Sequence, residues 1–275
     1  ISVYENEVAS WCKLLKVNNE ATLLVAFAWC HDNELRLARM FPEFFACDTT
    51  FGVTKEQRNL FLFAGIDSNN KTFPAFHCFM PSKELRAYHW ALRAALPQLI
   101  TNQTLSMNSC ISTDGEHAIY QPLRNMMDNV TYMKKSSHRL DKFHMFTKQW
   151  REKVTIKIGK CESTKKDIKN IYNKVSRLFD YVETESEMQL CIKDYQYYYQ
   201  SKKESFKNES LCESIEAILT SIESNLSYLC HHHFHNVTTF DFLGDSIAEA
   251  VNSGIKNGST KVCTRMTIDT SANTQ

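Results

Sequence analysis

Three carboxylates stand where they could do chemistry. Asp48 lies inside FFACDTTFGVT, residues 44–54, an aromatic and β-branched run that reads as a strand. A buried aspartate is costly unless it is paired, protonated or bound to a metal, so an acid in that setting asks for partners. Asp114 follows directly on SCIST, residues 109–113, a short apolar strand. Glu249 sits in SIAEAVNSGIK, residues 246–256, which reads as helical. Acids on three separate elements form a hard-oxygen donor set for two Mg²⁺ (or Mn²⁺) ions. In-line phosphodiester transfer uses such a pair to activate the attacking oxygen and stabilise the leaving one. The plainer alternative for Asp48 is a residue that ends its strand ahead of a turn at Gly52. Spacing alone is a weak signal, because the chain offers 31 Asp and Glu.

The elements that must position these acids follow from the hydrophobic pattern. Residues 1–43 read as a helical segment, with TLLVAFAWC as its apolar run and Pro42 as its stop. LFLFAGID and TFPAFHCFMP flank DSNNK, a hairpin that extends the Asp48 strand into three antiparallel strands. KELRAYHWALRAALPQL, residues 83–99, places Leu85, Tyr88, Leu92, Ala95 and Leu96 on one helical face. The SCIST strand, a helix over HAIYQPLRNMM, a fifth strand at VTYM (residues 130–133) and a helix from about Arg139 come next. This order predicts an α/β chain of RNase H-like layout, a mixed five-stranded sheet flanked by helices. In that layout the middle of the first strand and the end of the fourth lie side by side, which are the places of Asp48 and Asp114.

A mainly helical insertion precedes the last core helix. Within it VTIKI, residues 154–158, is a weak strand candidate, and Thr164 and Asp167 suggest a capping box. Three apolar stripes follow: Ile168, Ile171, Val175 and Leu178; then Met188, Cys191, Tyr195 and Tyr198 or Tyr199; then Leu211, Ile215, Ile218, Ile222, Leu226 and Leu229. The expected domains are therefore 1–43 helical, 44–150 first part of the core, 151–235 insertion, 236–260 final core helix with the third acid, and 261–275 a polar, disordered tail. Glu213, Glu216 and Glu223 are expected to face solvent, and Asp245 is the neighbouring rival to Glu249 as third acid.

Composition narrows the class. The chain has 275 residues, 43% hydrophobic and 23% charged, with a formal net charge of +1. That balance is globular and carries no whole-chain signal for nucleic acid, so DNA contacts must rest on local basic surface. The 10 cysteines include no C-x-x-C pair and read as free thiols of a reducing, intracellular compartment. No apolar run of membrane-spanning length occurs. The start at Ile1 suggests a fragment of a longer protein, whose separate DNA-binding module would lie upstream.

With these elements placed, the chain resembles a Mutator-like (MULE) transposase, a DDE enzyme of the retroviral-integrase superfamily. ACDTTFGVTKEQRNLFLFAGID is similar to that family's first-acid strand and hairpin, and KELRAYHWALRAAL to its next helix. ISTDGEHAIYQPLRN resembles the second-acid motif, SSHRLDKFHMF the segment after the fifth strand, and SIAEAVNSGIK the third-acid motif. The resemblance implies Asp48, Asp114 and Glu249 as a metal-binding catalytic triad. It implies two Mg²⁺ or Mn²⁺ ions, cleavage and strand transfer at transposon ends, and action in the nucleus as a homo-oligomer on DNA. Where the family usually carries Cys-x-x-His, this chain has Asp141 and His144, a hydrogen-bonded pair in a supporting role or a satisfied core histidine.

Lys134, Lys135, Arg139, Lys142 and Lys148 form a basic stretch suited to DNA phosphates, or simply a solvated face. Cys230, His231, His232, His233 and His235 could bind a transition metal, but adjacent histidines cannot all face one ion, which favours a solvated turn. Glu116 and His117 read as first-turn helix residues. Two rival functions remain: a domesticated transposase kept as a DNA-binding transcription regulator without catalysis, and an interaction protein that uses the histidine tract as a zinc clip.

Overall fold

The structure is a computed structural model that describes residues 2–5, 8–16, 22–51, 57–159 and 161–234, with side chains from residue 24 onward within those ranges. The chain begins with β1 (Ser2–Glu5), β2 (Val8–Lys16), β3 (Thr22–His31) and α1 (Asp32–Met40). Next come β4 (Phe44–Thr50), β5 (Asn59–Ile66) and β6 (Thr72–Met80). Then α2 (Leu85–Trp90) runs through a π-helical segment, Ala91–Ala95, into α3 (Leu96–Leu99). After α4 (Asn102–Ser106) follow β7 (Cys110–Thr113), α5 (His117–Asn129) and β8 (Ser137–Leu140). The strands form one mixed sheet in the order β1-β2-β3-β6-β5-β4-β7-β8. Among the described residues the chain forms two compact units, one ending at His138 and one beginning at Arg139.

The centre of the first unit follows from its sequence. NLFLFAGI is buried at every position, as a strand must be when both faces of its sheet are covered. Phe61 meets Phe63, Phe76 and Tyr88 edge-on, with Tyr88 at 5.3 Å. Gly65 stands opposite Phe73 in the β5–β6 register, and a Cβ there would run into the Phe73 ring. The turn between β5 and β6 is set by Asp67, whose Oδ1 accepts from the backbone N–H of Asn69 and Lys71, while Asn70 takes a left-handed φ of 61°.

Several expectations are corrected. Residues 1–43 are not helical: the described part is three strands, and only Asp32–Met40 is a helix. TLLVAFAWC has a period of two, with the small Ala26, Ala28 and Cys30 facing inward and the larger Phe27 and Trp29 half-buried. A stripe of small residues buries well in a strand yet looks like a helix former by propensity alone. The sheet thus has eight strands rather than five. The strand expected at VTYM is a 3₁₀ turn, Thr131–Met133, and the strand is Ser137–Leu140 instead. Leu85 is 42% exposed, off the buried face formed by Ala87, Tyr88, Ala91 and Leu92.

The second unit is helical. Two π-helical segments, Phe143–Lys148 and Trp150–Val154, lead to α6 (Glu162–Asp180), α7 (Glu185–Lys203), α8 (Glu209–Glu223) and α9 (Leu226–Leu229). VTIKI is no strand, because Thr155–Lys157 forms a 3₁₀ turn. The unit starts before residue 151 because Phe146 stacks on Tyr172 at 4.8 Å and on Phe179 at 5.5 Å. The expected capping box at Thr164 is displaced as well, since α6 begins earlier, after Cys161. The three apolar stripes lie in the core apart from the half-buried Leu226, with Tyr199 rather than Tyr198 on the buried side.

Candidate functional site

The pairing of β4 with β7 builds the site. These strands run parallel, with Phe44 opposite Cys110 and Cys47 opposite Thr113. One step further along stand Asp48, still inside β4 and opposite Leu62 of β5, and Asp114, directly after the end of β7. Both aspartates are half-buried, below a strand pair that is otherwise buried.

Their charges are felt by the same neighbours. The Cys47 thiol is pushed well above its ordinary range, first by burial and then by Asp114 and Asp48. Tyr88 is pushed up by burial too, with Glu116, Asp114 and Asp48 adding to it, while its hydrogen bond to Thr49 Oγ1 (2.9 Å) acts the other way. Like charges are therefore concentrated at one edge of the sheet. Asp48 Oδ1 accepts from the Thr49 backbone N–H at 2.6 Å, and Asp114 Oδ1 from that of Glu116 at 2.9 Å. Glu116 is the residue that caps α5, and its carboxylate pairs with Lys83 at 3.3 Å. Lys83 in turn lies 4.7 Å over the Phe51 ring.

A polar relay fixes the end of β7. Arg124 Nε donates to His138 Nδ1 at 3.0 Å. The proton of the neutral imidazole therefore sits on Nε2, which donates to Thr113 Oγ1 at 2.9 Å. The Thr113 hydroxyl then donates to the Asp114 carbonyl at 2.8 Å. Tyr120 stacks on His138, and the Arg124 guanidinium lies 4.3 Å over the Tyr120 ring. Burial, followed by the charge of Arg124, pushes His138 down to about 3, so the ring is neutral. Sequence reasoning missed Thr113, Arg124, His138 and Tyr88 as supporting groups. Tyr120 and Arg124 share a helix face at i, i+4, but nothing in the sequence says that a strand histidine lies against it.

The remaining predicted residues are distributed as follows. Glu249, His235 and Asp245 lie outside the described residues. Asp141 and His144 are paired, Nδ1 to Oδ2 at 2.5 Å, within the second unit. Burial raises Asp141 above the usual carboxylate range, and the histidine opposes that shift. The members of the basic stretch differ in exposure and pairing. Arg139 is 5% exposed and lies 5.3 Å over the Phe234 ring, and Lys142 pairs with Asp180 at 2.6 Å. Lys134 and Lys135 are exposed, and Lys148 is half-buried. His231–His233 form a 3₁₀ turn, with His232 Nδ1 donating to the Glu183 carbonyl at 2.8 Å. No cluster of three metal-ligating side chains occurs among the described residues. Glu216 and Glu223 are not simply solvated, since they accept hydrogen bonds from the Tyr199 and Tyr195 hydroxyls.

The fold and site define an α/β domain with a mixed sheet flanked by helices and two acids one residue beyond the last β4–β7 pair. Residues 44–148, which carry both acids, match the family model of the MULE transposase domain. This stretch is thus similar to the MULE transposase domain, which points to a transposase-related function. No curated protein matches the chain.

Proposed function

We propose that this chain is the catalytic core of a DDE-type DNA transposase with an RNase H-like nuclease domain, cleaving the phosphodiester at transposon ends and directing the freed 3′-hydroxyl at target DNA. The observation that supports this reading is the parallel β4–β7 register, whose last pair, Cys47 and Thr113, directly precedes Asp48 and Asp114.

The donor set suits a hard divalent cation. Carboxylate oxygens are the ligands Mg²⁺ and Mn²⁺ prefer. Asp48 and Asp114 would hold two such ions, and Glu249 would complete the set. Bound there, the ions would stabilise the charge that develops on the attacking and leaving oxygens. The chain's own part is positioning. The Thr49 and Glu116 backbone N–H groups orient the two carboxylates, and the relay through Thr113, His138 and Arg124 holds the backbone from which Asp114 projects. Lys83, 30% exposed and tied to Glu116, supplies a positive charge beside the acids. On this reading the protein acts in the nucleus as a homo-oligomer that holds two DNA ends together.

Calorimetric titration of Mn²⁺ into the chain, beside Asp48→Ala, Asp114→Ala and Glu249→Ala, tests the proposal. Binding weakened by each substitution in folded protein, together with metal-dependent nicking of end DNA, is expected. Binding indifferent to all three would overturn it.

A further inference from the structure

The second unit contains a cavity of about 360 Å³ between its two π-helical segments and α6. Trp150, Tyr172, Ile158 and Ile168 supply its apolar lining, and Thr147 and Thr155 add hydroxyls. Its remaining lining residues are Arg151, Lys165 and Lys169, all exposed at the rim. No carboxylate lines it. Lys165 reaches back to Glu162 at 2.6 Å, whereas among the described residues neither Arg151 nor Lys169 forms an ion pair.

The aromatic wall is held in place from behind. Tyr172 stacks on Phe146 at 4.8 Å, its hydroxyl lies 3.4 Å from Thr147 Oγ1, and Trp150 meets it edge-on at 5.8 Å. An aromatic-lined apolar pocket beneath a rim of cations and hydroxyls matches a heteroaromatic ring that carries phosphate. Nucleic-acid strands are gripped in this way, with bases on aromatic side chains and phosphates on Lys and Arg. The size falls at the lower end of small-molecule sites, which suits one base rather than a stretch of duplex.

We propose that this cavity takes a nucleobase of single-stranded DNA, with Arg151 and Lys169 on the flanking phosphates. The proposal deepens the reading above and rests on it only for the choice of DNA over RNA.

The test is fluorescence anisotropy of the full chain with a labelled oligothymidylate of about ten nucleotides, against an abasic strand of equal length. The Arg151→Ala/Lys169→Ala double variant should bind about tenfold more weakly and lose about 1.4 from the salt slope, since about 0.7 counterions are released per single-strand phosphate contact. The abasic strand should also bind about tenfold more weakly. Both substituted side chains are exposed, so the variant should fold, and circular dichroism would verify this. Unchanged affinity in the double variant, or equal binding of the abasic strand, would overturn the site. So would thymidine monophosphate binding as tightly as the oligomer, or an RNA oligomer binding more tightly. Asp48→Asn should bind the oligomer as the parent does. If neither cleaves DNA ends yet oligomer binding still depends on Arg151 and Lys169, the cavity stands and the transposase reading falls. Normal cleavage by the double variant with unchanged affinity overturns the cavity alone.

Discussion

The two units treat their carboxylates in opposite ways. In the helical unit each acid just beneath the surface meets an opposite charge or a hydroxyl. Asp180 meets Lys142, Asp194 meets Lys174, Glu216 meets Lys203 and Tyr199, and Glu223 meets Tyr195. In the sheet unit two aspartates of like charge are set side by side, and both push the same buried thiol and phenol upward. Paired charges cost little and fix a fold, whereas like charges held together cost stability unless something positive joins them. The helical unit holds its acids on cations and hydroxyls, whereas the sheet unit gathers two acids beside the same buried thiol and phenol.

The strongest way to break this comparison is to neutralise one aspartate. Asp48→Asn or Asp114→Asn should reduce cleavage of DNA ends by about a thousandfold, equivalent to about 4 kcal/mol of transition-state stabilisation. The same change should leave the metal-free melting temperature nearly unchanged, because Asn keeps the size of the side chain and an oxygen that can accept from the Thr49 or Glu116 N–H. A melting temperature that falls steeply would make these acids structural, like those of the helical unit.

The complementary change is Phe146→Ala, which removes a ring stacked on Tyr172 and Phe179. A loss of about 3–5 kcal/mol is expected from denaturant unfolding, as for other large-to-small aromatic changes in cores. Mn²⁺ affinity measured by calorimetry on the folded variant should not change. A parallel loss of metal affinity would show that the two classes of residue are not separable.

The relay behind Asp114 adds a pH dependence. His138 is depressed from its usual value near 6.5 to about 3, so the unfolded chain binds the extra proton between those limits and the native chain does not. Stability from this group is complete above about 6.5 and is lost as pH falls toward 3. Comparing the parent with His138→Gln by thermal unfolding across that window should show a difference that shrinks on acidification by on the order of 3 kcal/mol. Parallel curves would mean the ring is protonated in the native state, and the tautomer assigned to the relay would be wrong.

What could be read from the sequence divides along the same line. The Asp48 strand, its hairpin and the SCIST strand were legible because β-branched and aromatic runs, the DSNNK turn and short apolar segments all agree there. Their order was enough to put Asp48 beside Asp114. The amphipathic stripes of α6, α7 and α8 were legible for the same reason. The first strands were not, because Ala26, Ala28 and Cys30 are small, and small residues fit helix and strand alike. The relay was hidden because its members sit on β7, α5 and β8 and meet only through tertiary packing. Arg139 and Lys142 looked like surface charge, and only the fold shows one under Phe234 and the other on Asp180.

The smallest expected effect is the finest test of the contrast. Tyr195 is fully buried, and its hydroxyl donates to Glu223 Oε1 at 2.8 Å. Glu223 is half-buried and also accepts from Gln196 Nε2 at 2.8 Å. Tyr195→Phe removes one donor and keeps the ring, so the carboxylate retains a partner and access to water. The expected cost is about 1 kcal/mol in denaturant unfolding, the net worth of one hydrogen bond whose acceptor is not stranded. A cost of about 3 kcal/mol or more would mean that Glu223 is cut off from water once the hydroxyl is gone. Glu223 would then depend chiefly on one hydroxyl for its solvation, and the Tyr195–Glu223 pair would count among the interactions that hold the helical unit together.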